Sequence, residues 1–201
     1  MICIIDYGMG NVASVANAFK ALGSETRISH QKEDITQADH LVLPGVGSFS
    51  VGMKHLMELG LIPVLEEEVL QKKKPFLGIC LGMQLLAARS YEFGTHEGLN
   101  WIAGEVDKLT ATNLLLPHVG WNDIKTIHPH SCLTSSIDAA DFYFVHSYHF
   151  KPADPACVNA TCEYGESFAA VISADNILGA QFHPEKSQGA GKIFLENFVT
   201  L

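Results

Sequence analysis

A chain of 201 residues with 47% hydrophobic and 17% charged residues has the composition of one globular domain spanning residues 1–201, long enough to bury roughly 70% of its unfolded surface around a single core. Its 13 Lys+Arg stand against 22 Asp+Glu, a net charge of −9; a protein whose affinity comes from neutralising phosphates needs the opposite balance, so nucleic acid is not an expected partner. Five cysteines (Cys3, Cys80, Cys132, Cys157, Cys162) without metal-type Cys-x-x-Cys pairs fit reduced thiols in the cytoplasm better than a disulfide scaffold.

The first apolar run, Met1-Ile2-Cys3-Ile4-Ile5, is cut off by Asp6 and has no basic flank. It is too short for a signal peptide or membrane span and reads as a strand. Asn11 to Leu22 places Val12, Val15, Ala16, Phe19 and Leu22 on one helical face, with Gly23 as a natural helix stop. A strand near Glu25 to Ile28 and another at His40 to Leu43, before Pro44-Gly45, alternate with helical stretches. The longest of these runs from Leu61 to Lys74, with Glu66, Glu67, Glu68 and Lys72 as its charged face. Such alternation implies right-handed crossovers and a mainly parallel sheet. After the apolar Phe76-Leu77, the good helix formers from Leu81 to Ser90 predict another helix. From about Trp101 to Ser173 the patterns are short and strand-like, as in Asp141 to Val145 and Phe168 to Ile172. A strand-like run at Ile177 to Phe182 precedes a closing helix from Gln188 to Val199. The expected fold is α/β: a mainly parallel central sheet flanked by helices, with an appended antiparallel strand layer.

Gly78-Ile79-Cys80-Leu81-Gly82 sits between the predicted strand and the predicted helix. A nucleophile on a sharp strand-to-helix turn occupies a cramped backbone conformation, and glycines two residues before and after it let neighbouring chain pass without a Cβ clash. A thiol at a helix N-terminus faces unpaired N–H groups that favour an anion. The plain alternative is a buried cysteine acting as a small hydrophobe. About a hundred residues on, the strand-like run ends in Phe182-His183-Pro184-Glu185. A cysteine nucleophile needs a base within reach and a third group to orient that base. Cys80, His183 and Glu185 supply all three, and their conjunction outweighs the bland reading of each alone. An oxyanion formed at Cys80 needs preorganised donors. The Leu81 N–H is one, and Gly47 in the Gly45-Val46-Gly47 loop is placed to supply the other.

These residues resemble the class I (triad) glutamine amidotransferases, through Gly78, Cys80, Gly82 and Gln84, then Phe182, His183, Pro184 and Glu185. Within that family, Asp6 to Asn11, Leu43 to Phe49, Leu116 to Asn122, Tyr143 to Tyr148 and His183 to Gln188 are similar to the glutaminase-subunit branch of the imidazole glycerol phosphate synthases. The resemblance implies hydrolysis of glutamine to glutamate and ammonia by Cys80, His183 and Glu185, without a cofactor. It implies glutamine binding by Gly45, Gln84, His146, Ser147 and Tyr148. It also implies a cyclase subunit that receives ammonia for histidine biosynthesis, contacted near Asn11, Trp121, Tyr143 and Lys186. The chain has no phosphate loop of the Walker type and no Gly-x-Gly-x-x-Gly fingerprint with which to use ammonia itself. Its ten histidines lack carboxylates or cysteines at ligand spacing, so no metal is expected. Val119 and His149-Phe150 depart from the commoner residues of the branch. They keep open a paralogous amidotransferase feeding the amidination of a surface-polysaccharide sugar. A regulatory scaffold that binds glutamine without hydrolysing it should lack one of the triad residues, and here all three are present.

Overall fold

The computed structural model describes residues 1–111, 114–133 and 137–201. The first half alternates β1 (Ile2–Ile5), α1 (Val12–Ala21), β2 (Thr26–Ser29), α2 (Lys32–Gln37), β3 (His40–Gly45), α3 (Phe49–Glu58) and α4 (Leu61–Leu65). Next come β4 (Phe76–Cys80), the single turn α5 (Leu81–Gln84), β5 (Arg89–Ser90), β6 (His96–Glu97) and β7 (Gly104–Lys108). The second half is mostly strand: β8 (His118–Asp123), β9 (Lys125–Thr126), β10 (Asp141–His146), β11 (Tyr148–Pro152), β12 (Val158–Tyr164), β13 (Glu166–Ala174) and β14 (Ile177–Ala180). Helix α6 (Gln188–Val199) closes the chain over the residues expected for it.

The main sheet has the order β2-β1-β3-β4-β14-β13-β12-β9. Its β2-β1-β3-β4-β14 part is parallel and the remainder antiparallel. β1, β3, β4 and β14 are buried almost throughout, as strands covered by helices on both faces must be. Side-chain alternation along them feeds two cores. Ile2, Ile4, Leu77 and Ile79 meet Phe19 of α1 and Phe194 and Phe198 of α6. Cys3, Ile5, Leu41 and Leu43 meet Phe49 and Leu56 of α3 and Leu65 of α4. The appended layer forms two further sheets, β10-β8 and β11-β7-β5-β6, antiparallel except for the parallel β5–β7 pair. No helix among the described residues is long and apolar enough to cross a membrane, and all five cysteines are free thiols.

Two sequence expectations give way here. The helix after Cys80 stops at Gln84 instead of reaching Ser90. The carbonyls of Leu85, Leu86, Ala87 and Ala88 are taken by the N–H groups of residues 98–102, so tertiary pairing overrides helix propensity. The predicted Leu61 to Lys74 helix changes after Leu65 into a π-helix over Glu66–Gln71. Glu68 does not join a solvated face; it is buried and held by Lys72 and Lys74, each at 2.7 Å.

Candidate active site

Parallel pairing sets the site. Gly45 of β3 lies beside Cys80 of β4, and Ala180 of β14 beside Ile79. The segments leaving β3, β4 and β14, namely Val46-Gly47, Cys80-Leu81 and Gln181-Phe182-His183, therefore emerge together at the carboxyl edge, where open α/β sheets bind ligands.

Cys80 has φ 54° and ψ −107°, a conformation costly for a residue with a side chain. The flanking glycines make it possible. A Cβ on Gly78 would come within 2.6 Å of the Gly82 carbonyl oxygen, and one on Gly82 would overlap the carbonyl oxygen of Leu43. Gly47, in the facing loop, has φ +107°.

His183 is fixed through its backbone. Its N–H donates to the Tyr143 carbonyl at 2.9 Å. Ser187 Oγ donates to the His183 carbonyl at 2.6 Å and accepts the Tyr143 N–H at 3.0 Å. The imidazole Nδ1 bonds Glu185 Oε1 at 2.9 Å, with the two side chains 3% and 2% exposed. Nε2 of His183 is buried with no hydrogen-bond partner among the described residues. Burial opposes a charge on this imidazole, but the Cys80 sulfur and the Glu185 carboxylate outweigh it and hold its pKa well above 6.5. The arrangement can keep a proton on His183 and deliver it to a leaving group. Cys80 opens into a cavity of about 450 Å³ whose wall includes Val46, Gly47, Gln84, Ser147 and Tyr148, a volume suited to a small ligand.

The family model for "Glutamine amidotransferase class-I" matches residues 3–201. The chain belongs to the class I glutamine amidotransferases. Among relatives of this amidotransferase, the "Imidazole glycerol phosphate synthase subunit HisH 1" of Campylobacter jejuni strain RM1221 is 48% identical over 202 residues, covering 100% of both chains. The HisH 2 subunit of Pseudomonas aeruginosa is 45% identical over 204 residues, again covering 100% of both. The HisH subunit of Aquifex aeolicus is 47% identical over 197 residues, covering 97% of this chain and 94% of its own. The fold is similar to that of a crystallised glutamine amidotransferase at TM-score 0.76 and 18% identity, covering 99% of this chain and 100% of that one. It is also similar to PurLQS from Thermotoga maritima at TM-score 0.73 and 17% identity, covering 99% and 97%.

In this amidotransferase the residues expected to bind glutamine divide. Ser147, Tyr148, His146 and Gln84 line the cavity, whereas Gly45 packs behind it, close to the Tyr7 hydroxyl and to Leu81. Gln84 is not a helix-surface residue. It is 5% exposed, and its Nε2 donates to the Tyr148 carbonyl at 2.8 Å and to Gln181 Oε1 at 3.1 Å. The same Tyr148 carbonyl accepts from His146 Nδ1 at 2.9 Å, so His146 carries its proton on Nδ1 and presents Nε2 as an acceptor. His118 Nδ1 lies 3.3 Å from that Nε2, and Asn122 Nδ2 lies 3.4 Å from His118 Nε2. Because Asn122 Nδ2 also donates to the Glu163 carbonyl at 2.9 Å, its orientation is fixed, and donors run in one direction from Asn122 to Tyr148. Burial pushes the His118 pKa down to about 4 and that of His146 to about 3, so both stay neutral near pH 7.

Of the positions expected at a partner contact, Trp121 is 47% exposed and meets Tyr143 edge to face at 6.0 Å. Lys186 lies 5.5 Å over the Tyr143 ring and also lines the amidotransferase cavity, so these three form one patch at its mouth. Asn11 is exposed and caps α1 by accepting the Ser14 N–H at 3.1 Å. Sequence reasoning missed Gln181, Ser187 and His118. Each is a polar residue with under 4% exposure, and a polar residue inside an apolar strand pattern was the available signal for Gln181.

Proposed function

We propose that this chain is the glutaminase subunit of an imidazole glycerol phosphate synthase, which hydrolyses glutamine at Cys80, His183 and Glu185 and passes ammonia to a cyclase subunit in cytoplasmic histidine biosynthesis. The observation that carries the reading is the buried His183–Glu185 pair, 2.9 Å apart, with Nε2 unpaired among the described residues and the Cys80 sulfur raising the imidazole pKa. Full-length relatives named as subunits of that synthase support the acceptor and the partner.

The Cys80 thiolate attacks the side-chain carbonyl carbon of glutamine, and the oxyanion is stabilised by the Leu81 N–H and the Gly47 loop. The His183 imidazolium donates its Nε2 proton to the departing nitrogen, giving ammonia and a thioester. Neutral His183 then takes a proton from water as it adds to the thioester. Collapse expels the thiolate, releases glutamate and restores the ion pair. Glu185 keeps the imidazole oriented and offsets its charge throughout. The His146-Ser147-Tyr148 segment and Gln84, whose Oε1 has no partner among the described residues, hold the α-amino and α-carboxyl groups. Trp121, Tyr143, Lys186 and Asn11 contact the cyclase.

The test is glutamate release from glutamine by the wild type and by Cys80→Ala, with and without the cyclase and its nucleotide ligand. Strong stimulation of the wild type and none of Cys80→Ala is expected. Cys80-dependent release indifferent to that cyclase would instead assign the chain to the surface-sugar branch. No Cys80-dependent release under any condition would leave a glutamine-binding scaffold.

A further inference from the structure

We propose that Gln181 is a further catalytic residue of this site, its side-chain amide donating an N–H to the Cys80 sulfur and stabilising the thiolate. The proposal rests on the reading of Cys80 as the nucleophile. Gln181 follows the last residue of β14, its backbone N–H donates to the Ala170 carbonyl at 2.9 Å, and it is 0% exposed. A fully buried amide is costly unless its donors and acceptor are paired, so the placement of this one calls for a reason.

The orientation of that amide follows from its neighbours. The Tyr148 carbonyl can only accept, so the group of Gln84 that faces it at 2.8 Å must be the NH₂. The other hydrogen of the same NH₂ points to Gln181, which must therefore present its Oε1 there, at 3.1 Å. Gln181 Nε2 is left facing the Cys80 sulfur at 3.7 Å. Rotating the Gln181 amide by half a turn would set two NH₂ groups against each other at Gln84, and flipping Gln84 as well would set two carbonyl oxygens together at Tyr148. The backbone of β11 thus dictates, through two side chains, that a donor and not an acceptor meets the sulfur.

The contact matters because the other hydrogen bond of Cys80 favours the neutral form. The thiol donates to the Val145 carbonyl at 3.8 Å, and an acceptor there repels a thiolate. Gln181 is the neutral side chain hydrogen-bonding the sulfur that prefers the anion, and it does so whatever the protonation of His183. Gln84 touches no reacting atom in this network and acts as a positioning residue through Gln181.

The experiment follows alkylation of Cys80 by iodoacetamide at neutral pH, without glutamine, by mass analysis of the Cys80 peptide. The thiolate displaces iodide to form the carbon–sulfur bond, so the rate tracks the anion. Gln181→Met, close in volume and without a donor, should slow alkylation by about tenfold. Gln181→Glu, which sets a carboxylate near the sulfur, should slow it further. Gln84→Met should give a smaller loss. Should Gln181→Met fail to fold, Gln181→Asn keeps the amide, withdraws it by one methylene and should show the same loss. A folded Gln181→Met or Gln181→Asn protein alkylated at the wild-type rate overturns the proposal, as does a Gln181→Glu protein faster than Gln181→Met. Since the readout needs no turnover, it is separable from the glutaminase reading, which fails only if wild-type protein releases no Cys80-dependent glutamate.

Discussion

Replacing Glu185 by glutamine removes a charge while keeping an oxygen for His183 Nδ1–H, and it tests the triad through stability as well as rate. The two side chains are 2.9 Å apart and at most 3% exposed. Removing one partner of a buried ion pair costs about 3–5 kcal/mol when the other stays charged. The retained acceptor and the neighbouring Cys80 sulfur lessen this to about 2–3 kcal/mol, or a fall of roughly 5–10 °C in Tm for a chain of this length. The pH dependence gives the sign. The folded pKa of His183 is raised above its unfolded value of 6.5, so the imidazolium contributes its full stability below pH 6.5 and loses it as pH rises through the folded value. The deficit of Glu185→Gln should therefore be largest at about pH 5.5 and shrink by about pH 9.5. Thermal unfolding followed by circular dichroism at both pH values measures it. Glutaminase kcat should fall at least about a hundredfold with little change in KM. An equal deficit at the two pH values, or a kcat within about threefold of wild type, would refute the assignment of Glu185 as the charge partner of His183.

Gly82→Ala should destabilise the protein by about 3 kcal/mol or more or prevent folding, because the new methyl meets the Leu43 backbone carbonyl and not a movable side chain; thermal melting reports it. His118→Phe keeps a ring stacked between Phe144 and Tyr164 but leaves His146 Nε2 unpaired, so steady-state kinetics should show KM for glutamine raised roughly fivefold with kcat within about twofold. Trp121→Ala should weaken cyclase binding by about 2 kcal/mol, near thirtyfold in Kd by calorimetry, while changing the stability of the isolated chain by less than about 1 kcal/mol.

The parallel half of the fold and the glycine-bracketed turn at Cys80 were legible because each rests on a local steric or chemical requirement. Gly78 and Gly82 bracket Cys80 since the elbow leaves no room for a Cβ at either. The apolar runs of β1, β3 and β4 mark strands buried on both faces. What was illegible depends on distant pairing. The helix expected through Ser90 is interrupted because residues 98–102 claim its carbonyls, and nothing near Leu85 signals that. Glu68 looks like part of a solvated acidic run until Lys74, which also donates to the Ile35 and Thr36 carbonyls at 2.9 Å, is seen to bury it. Gln84 was visible as a motif residue, but its burial against Tyr148 and Gln181 is set by residues 64 and 97 positions away in sequence.

The β8–β10 pair joins the exposed patch to the chemistry. In its antiparallel register Trp121 lies opposite Tyr143 and His118 opposite His146. Alternation sends Val119 and Trp121 outward, 56% and 47% exposed, and His118 inward, 3% exposed. A slip of one residue would turn the histidine chain out and the tryptophan in, so one register fixes both the exposed aromatic patch and the wall of the cavity at Cys80. The main chain of β10 also touches both Cys80 and His183: the Tyr143 carbonyl accepts the His183 N–H at 2.9 Å, and the Val145 carbonyl accepts the Cys80 thiol at 3.8 Å. On the proposed reading, a cyclase seated on Trp121 and Tyr143 presses on the strand that hydrogen-bonds both Cys80 and the His183 main chain. On that reading a displacement of β10 changes both contacts together, which couples the exposed patch to Cys80 and His183 through one strand.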